Sequence, residues 1–252
     1  MTKLKLLELL ESHKGEYLSG EAIAQSLGLS RAAIWKNINL LREEGYDIES
    51  VKKKGYTLNI NSDILSKVKL KEFLNKDFPI HRIQLHKTID STNKVALMAY
   101  LEEDETWTIV ASEKQEKGQA KDKMTFYSPE GKGVYMSVAI NLQKHLDDIK
   151  KVTRQNSKVV QDVLREATGV ETNIEIDNNI YYKGRKLAGI MTQLLLEAEN
   201  GLTKVMVIGI GIYVHEASGQ NIALTEITGH YCNRSELIAR IINKLYEYYK
   251  GE

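Results

Sequence analysis

The sequence predicts an α+β protein. An amino-terminal winged helix-turn-helix is followed by a larger domain, built on a mixed β-sheet that helices cover on one side. Apolar residues recur at helical spacing in three short segments, two strand-like runs then flank a lysine cluster, and strand and helix patterns alternate to the end of the chain. The 252 residues allow two domains, which we place at 1–60 and 78–252, with a linker and connecting helix at 61–77.

Composition limits the class of protein. The formal net charge of +1 points to no charged partner, and one cysteine, Cys232, excludes an internal disulfide and a cysteine-rich zinc site. A lone thiol fits a reducing compartment. The first residues interleave charges with leucines, and the apolar stretch 205–214 is about half the roughly 20 residues of a membrane span. We therefore expect a cytoplasmic protein with no metal site and no membrane segment.

The first domain begins with three predicted helices. Leucines between residues 4 and 10 form one apolar stripe, and this helix should end near Gly15. Ser19 is placed to cap a short second helix and Gly28 to stop it, while Ser30 can cap the third. A helix, a short helix, a tight turn and a third helix form the helix-turn-helix pattern.

The segments YDIESV, KKKG and YTLNI predict two strands around a basic tip, which is a wing. In a winged helix the third helix enters the major groove, and cations at its start and on the wing neutralise phosphates. The predicted DNA-binding residues are Ser30, Arg31, Lys36, Asn37, Lys52, Lys53 and Lys54. The alternative is a three-helix packing module with a solvated charge run. Because acidic residues offset the lysines of this domain, DNA binding would depend on local patches and on dimerisation.

In the second domain strand and helix patterns alternate. After a helix in SKVKLKEFLNK, the predicted elements are HRIQLHKTI, a helix in TNKVALMAYLEE, WTIVASEKQ, GVYMSVAINL, a helix through 150–167, TNIEI, NIYYKGRKLAGIMTQLLLE, VMVIGIGIYV and a last helix in SELIARIINKLYEYY. Adjacent strands with few helices between them favour a mixed sheet that helices cover on one side.

Three motifs carry a resemblance to a known family. TIDSTNKVA at 88–96, YYKGRKLAGIM at 181–191 and VIGIGI at 207–212 occur in the order and spacing of the central domain of biotin protein ligases. With the winged helix in front, nearly the whole chain resembles the bifunctional biotin ligase and biotin-operon repressor family. The resemblance implies operator DNA as partner, and biotin or a related acyl compound as ligand.

The resemblance also implies roles for individual residues. Ser91, Thr92, Asn93 and Gln115 match positions that grip the ureido ring of biotin, whose carbonyl accepts and whose N–H groups donate hydrogen bonds. Lys186 matches the residue that reaches the carboxylate. The remaining ligand-binding positions are Gly118, Gln119, Lys121, Gly209 and Gly211. Each has a plainer alternative: Ser91 or Thr92 caps a helix, Lys186 is a surface lysine, and the glycines ease strand packing.

The chain departs from the family where ligases hold the triphosphate. They carry a Gly-Arg-Gly-Arg-x-Gly run, whereas this chain reads Gly118, Gln119, Ala120, Lys121 and Asp122. One arginine has become neutral, the other is a lysine without the bidentate fork, and an aspartate is added. We expect nucleotide binding to suffer more than biotin binding, which leaves ATP doubtful as a cofactor.

Further departures follow the same trend. Phe126 replaces a tryptophan, Glu175 a lysine, Asn179 an acidic residue and Tyr213 an asparagine. The sequence ends at Glu252, where the ligases continue into a small carboxy-terminal β-barrel. We therefore assign no catalytic residues.

The resulting hypothesis is a biotin-responsive transcriptional repressor with lost or weak ligase activity. The alternatives are an active bifunctional ligase and repressor, and a binder of another acyl cofactor. We expect a homodimer that pairs through the strand at 205–214, because the family dimerises by extending its sheet.

Overall fold

The computed structural model describes residues 2–103, 107–120, 124–144, 148–197 and 201–250. It divides the chain into two compact units, Met1–Lys69 and Leu70–Glu252. The division falls inside the helix Lys67–Phe73, within the predicted connecting segment. None of the helices in these ranges has the length and apolarity to cross a membrane.

The first unit consists of three helices followed by a β-hairpin. Its elements are α1 (Thr2–Ser12), α2 (Gly20–Leu27), α3 (Arg31–Glu43), β1 (Ile48–Val51) and β2 (Gly55–Leu58). Leu6 and Leu10 of α1 pack with Ile34 and Ile38 of α3 in one buried core, as their helical spacing predicts. The two strands pair antiparallel and form the predicted wing.

The predicted helix ends of this unit are confirmed for α2 and α3. The Oγ of Ser19 accepts a 3.0 Å hydrogen bond from the first turn of α2, and the Oγ of Ser30 does the same for α3 at 3.2 Å. Gly28 ends α2 with a φ of 64°, a left-handed conformation that favours glycine. Helix α1 ends at Ser12, earlier than the predicted end near Gly15.

The second unit is a seven-stranded mixed sheet with helices, which confirms the predicted α+β class. Its helices are α4 (Lys67–Phe73, shared with the connection), α5 (Thr92–Glu103), α6 (Ile149–Thr168), α7 (Leu224–Thr228) and α8 (Arg234–Tyr249). Its strands are β3 (Ile83–Ile89), β4 (Trp107–Gln115), β5 (Gly133–Lys144), β6 (Asn173–Ile174), β7 (Ile180–Tyr182), β8 (Arg185–Leu196) and β9 (Thr203–Tyr213). The strand order is β3-β4-β5-β9-β8-β7-β6, and only β3 and β4 run parallel among the described pairings.

Helices lie on both faces of the sheet, so the prediction of a single covered side is wrong. Helix α5 packs in one cluster with Val110, Ala139 and Val207, which the strand register places on one face. On β4 the side chain of Trp107 points to the opposite face, and its ring centre lies 5.3 Å from that of Tyr246 in α8. Helix α6 packs against α8. Because successive side chains of a strand alternate, only the strand register reveals which face each helix covers.

Strand β9 is interior, so the prediction that it forms the dimerising edge is also wrong. It pairs with β5 from Gly133 to Lys144 and with β8 from Ala188 to Leu196. Both sides of its backbone are hydrogen-bonded, and a second chain cannot add there. An uninterrupted apolar run is typical of a central strand as well as of an apolar edge, and the sequence did not distinguish the two.

One predicted strand is two. The segment 180–196 forms the hairpin of β7 and β8, joined at Lys183 and Gly184, whose φ values are 48° and 76°. Two consecutive residues with positive φ are typical of the tight turns that join hairpin strands. The short helix α7 was not predicted.

Candidate functional site

Helix α3 presents an exposed basic face in the first unit. Arg31 and Lys36 are both exposed on it. Two other predicted DNA contacts have local partners, Ser30 as the helix cap and Asn37 through a 2.7 Å bond from its amide nitrogen to a backbone carbonyl one turn earlier. Trp35 is 61% exposed on the same helix, although the sequence analysis did not single it out. A large aromatic residue outside the buried stripe was the available signal.

The wing places three cations together at its tip. Lys52, Lys53 and Lys54 are all exposed, and Lys53 has a φ of 71° in the turn. The Nζ of Lys54 lies 5.3 Å from the ring centre of Tyr17, whose hydroxyl donates a 2.8 Å hydrogen bond to Glu49. The exposed cations match the pattern that contacts phosphates in a winged helix.

The second unit contains a cavity of about 280 Å³ on the sheet face that carries Gly209 and Gly211. The predicted ligand residues that line it are Ser91, Thr92, Asn93, Gln115, Gln119, Lys186, Gly209 and Gly211. Ala120, Phe126, the turn 177–179 and the first residues of α6 complete the wall. Residues far apart in sequence are thus brought to one pocket.

One described ligand residue of the prediction, Gly118, does not line the cavity. Gly118 lies behind it, where an added Cβ would come within 2.8 Å of the carbonyl oxygen of Phe126 and 2.9 Å of the Nε2 of Gln115. Gly118 therefore allows the loop to approach Gln115 closely. Lys121 and the neighbouring Asp122 lie outside the described residues.

One end of the pocket is a network of amides and hydroxyls. The Oε1 of Gln115 accepts hydrogen bonds from the backbone N–H and the hydroxyl of Thr92, at 2.8 and 3.1 Å. The Oδ1 of Asn93 accepts one from Ser137 at 2.6 Å, and its Nδ2 donates to Gln193 at 3.1 Å. An amide nitrogen carries two donors, so this end can offer donors and acceptors to a ligand.

Ser137 holds this network together, and the sequence analysis missed it. Its fully buried hydroxyl contacts the hydroxyl of Thr92 at 2.7 Å as well as Asn93. It sits in the middle of the apolar strand β5. In the sequence, only the presence of a serine within this apolar strand could have indicated its role.

The floor of the pocket depends on glycine. A Cβ on Gly209 would lie 2.2 Å from the Oδ1 of Asn93, and one on Gly211 would lie 2.6 Å from the ring of Phe126. Gly189, opposite Gly211 on β8, faces the ring of Phe126 and the end of Lys186. Because these glycines have no side chains, the amide of Asn93 and the ring of Phe126 pack directly against the backbone of the sheet.

The other end of the pocket carries a partly buried cation, Lys186. Burial lowers the pKa of Lys186, and the nearby carboxylate of Asp177 opposes that shift. Burial alone would raise the pKa of Asp177, but hydrogen bonds from Asn179 and Tyr181 outweigh it and hold that pKa below its usual value. Burial, with the bond to Asp177, raises the pKa of Tyr181 to about 12.

Asp177 changes the interpretation of one departure noted in the sequence. The acidic residue that the family carries at position 179 is absent, yet Asp177 brings a carboxylate into the pocket two residues earlier. Glu175, by contrast, is exposed and does not line the cavity. In the part of the chain that the structure describes, no group of His, Cys, Asp or Glu residues is suited to hold a metal ion.

The architecture defines a class: a winged helix of the DNA-binding type in a chain with an α+β domain that contains the cavity described above. Residues 2–57 match the helix-turn-helix domain model, and residues 85–212 match the model of the biotin/lipoate A/B protein ligase family. The chain belongs to the biotin/lipoate A/B protein ligase family.

Similar proteins extend over most of the chain. It is 31% identical over 245 residues to the bifunctional ligase/repressor BirA of Bacillus subtilis, covering 94% of this chain and 75% of that protein. It is 31% identical over 209 residues to BirA of Escherichia coli, covering 83% of this chain and 62% of that protein.

Solved structures confirm the fold of the larger unit. The biotin protein ligase of Aquifex aeolicus, in complex with biotin and ATP, superposes with a TM-score of 0.56 at 22% identity, covering 67% of this chain and 70% of that one. The enzyme from Leishmania major, in complex with biotinyl-5-AMP, gives 0.57 at 16% identity, covering 67% and 75%.

Proposed function

We propose that this protein is a biotin-responsive transcriptional repressor whose ligase-type domain senses biotin with little or no ligase activity. One observation carries the proposal. The same pocket is lined by amides and hydroxyls at one end, by glycines on its floor and by the partly buried ammonium of Lys186 at the other end. The chain that contains this pocket also has a winged helix. The similarity to bifunctional ligase/repressors over 94% of the chain supports the DNA-binding role and the biotin-binding role.

The chemistry of biotin fits the two ends of this pocket. Its ureido ring needs donors and acceptors together, which Thr92, Asn93 and Gln115 supply. Its thioether ring and aliphatic chain need an apolar wall, which Phe126 and Met191 supply. Its carboxylate needs a cation, which Lys186 supplies at the end of the pocket opposite the amides.

The loop argues for reduced ligase activity. Gln119 lines the wall where the ligases carry the first arginine of the run, and its neutral amide provides no positive charge for a triphosphate. Loss of a single stabilising donor can cost roughly a hundredfold in rate.

Calorimetric titration with biotin, and then with biotin in the presence of ATP and magnesium, tests the ligand assignment. We expect biotin to bind without nucleotide, and the Ser91→Ala/Gln115→Ala variant to bind it roughly a hundredfold more weakly, from about 1 to 2 kcal/mol for each residue. A folded wild type that does not bind biotin would refute the biotin assignment, and another acyl ligand would take its place.

Transfer of biotin to an acceptor domain tests the enzymatic part. We expect a rate far below that of an ordinary biotin ligase measured beside it. A comparable rate would establish instead the bifunctional ligase and repressor that the similarity to BirA also suggests.

Regulation would couple the pocket to dimerisation. We place the dimer contact on the outer edge of β8, because β7 pairs with β8 only as far as Ala188 while β8 continues to Leu196. Leu195 and Leu196 are 38% and 55% exposed there. Two winged helices on a two-fold operator would then bind together, provided that biotin binds the dimer more tightly than the monomer.

Sedimentation with and without biotin tests this coupling. We expect biotin to favour a dimer and Leu196→Lys to oppose it, because two charges would meet at the pairing edge. Leu101→Lys is the matched control, since Leu101 is 50% exposed on α5. If saturating biotin changes neither the oligomeric state nor operator affinity, the sensor hypothesis is wrong.

A further inference from the structure

We propose that Tyr213 is a specificity-determining residue: stacked on Phe126, it closes the pocket beyond Lys186, so that the pocket accepts a free acid and excludes its acyl-adenylate. This inference rests on the proposed function, because it takes the carboxylate of the ligand to lie at Lys186. It names the chemical form that the sensor recognises.

The order of positions along β9 gives the direction. Gly209, Gly211 and Tyr213 pair with alternate residues of β5 and therefore share one face of the sheet. Alternate residues of a strand lie roughly 7 Å apart. Asn93 sits over Gly209, and Phe126 sits over Gly211. The polar end, the ring of Phe126 and Tyr213 thus follow one another along the strand.

Lys186 lies at the boundary between the pocket and the aromatic pair. Its Nζ is 5.9 Å from the ring centre of Phe126, and both side chains face the Cα of Gly189. A carboxylate held by Lys186 therefore has Phe126 beside it. On the side of Phe126, a group attached to that carboxylate would extend past this ring.

The space past the ring is filled by protein. The rings of Phe126 and Tyr213 stack with centres 4.8 Å apart and planes 10° apart, and they are only 6% and 4% exposed. Tyr135 and Ala223 are buried in the same cluster. A purine commonly gains affinity by stacking on an aromatic face, and here Tyr213 already stacks on that face of Phe126.

Hydrogen bonds on both sides hold the pair in place. The hydroxyl of Tyr213 accepts a 3.2 Å hydrogen bond from the Nδ2 of Asn221. The backbone N–H of Phe126 donates a 2.8 Å bond to the carbonyl of Gly118. Opening the pocket would break the stack and the bond to Asn221 together. The ligases carry a smaller asparagine at the position of Tyr213, which leaves no ring there to stack on the tryptophan that they carry at position 126.

Competition between biotin and a stable biotinyl-adenylate analogue tests the inference. The analogue joins biotin to adenosine through a sulfamate in place of the phosphate, and both ligands are titrated into the full chain by calorimetry. We expect wild type to bind the analogue no more tightly than biotin. In Tyr213→Asn the analogue should gain about tenfold or more relative to biotin, because the stack no longer competes with adenosine.

Tyr231→Asn is the matched control, because Tyr231 stacks with centres 5.0 Å apart on His215, which does not line the pocket, whereas the partner of Tyr213, Phe126, does. This variant should keep the wild-type ratio of the two affinities. Tyr213→Phe keeps the stacked ring and should also keep that ratio, which separates the ring from its hydroxyl.

The outcomes distinguish this inference from the proposed function. If wild type binds the analogue a hundredfold more tightly than biotin, or if Tyr213→Asn leaves the ratio unchanged, the exclusion is wrong while biotin sensing stands. If folded wild type binds neither ligand, the biotin assignment fails as well. The wild-type comparison decides the question even if Tyr213→Asn does not fold.

Discussion

Replacing Gly209 with alanine tests whether the glycine floor serves the pocket or only strand packing. The added Cβ would lie 2.2 Å from the Oδ1 of Asn93 and 2.9 Å from its Nδ2. Asn93 is 4% exposed and is fixed by bonds from Ser137 and to Gln193, so it cannot move aside without losing both.

The loss can be worked out from these contacts. Two hydrogen bonds at roughly 1 kcal/mol each amount to about 2 kcal/mol of stability. For a domain of this size that corresponds to a melting temperature lower by about 4 to 8 °C. A displaced Asn93 also loses its bond to the ligand, which weakens biotin binding by about tenfold.

Scanning calorimetry and biotin titration of Gly209→Ala measure both effects. Gly20→Ala is the matched control, because a Cβ on Gly20 meets no atom within 4 Å and its φ is not positive. That variant should retain the wild-type melting temperature and affinity. If Gly209→Ala also retains both, the contact with Asn93 does not constrain the pocket, and the strand-packing alternative is correct.

Three further predictions follow from other parts of the molecule. Burial lowers the pKa of Lys186, whose ammonium is proposed to bind the carboxylate of biotin. Biotin affinity should therefore fall as the pH rises through that lowered pKa, before an ordinary lysine would lose its proton. In a titration series from pH 7 to alkaline pH, Lys186→Arg should show a flatter dependence of affinity on pH. Glu113→Gln should lower the stability by about 3 kcal/mol or more in thermal unfolding, because it removes the 2.8 Å partner of the fully buried Arg234, whereas Glu116→Gln, at an exposed position, should not. In operator titrations at several salt concentrations, Lys53→Ala and Lys54→Ala should each reduce the slope of log K against log salt by roughly 1, and Lys5→Ala on α1 should leave it unchanged.

Local patterns in the sequence predicted most of the elements. The helical spacing of leucines, the caps Ser19 and Ser30 and the stop at Gly28 fix the first unit because each acts within one or two turns of chain. The same local reasoning predicted α5 and β4 at their observed bounds. The three motifs that carry the family resemblance also predicted most of the pocket, since Ser91, Thr92, Lys186 and Gly209 all line it.

Other features depend on which strands become neighbours. A continuous apolar sequence is typical of a central strand and also of an apolar edge strand. Only the order of the strands in the sheet shows that β9 is interior, and that β8 has an unpaired outer edge beyond Ala188. The faces covered by α5 and α8 likewise follow from strand register, which separates the side chains of Val110 and Trp107.

The sequence by itself therefore determined the elements, the family and the residue types of the pocket, because periodicity, caps and motifs are properties of short segments. Only the tertiary structure decided how they act on one another. Ser137 bonds to Thr92 across 45 positions, and Tyr213 of β9 stacks on Phe126, which lies in the segment between β4 and β5. Asp177 reaches the pocket in place of the carboxylate missing at 179. Such contacts join distant segments, and their energies depend on geometry that arises only when the sheet forms.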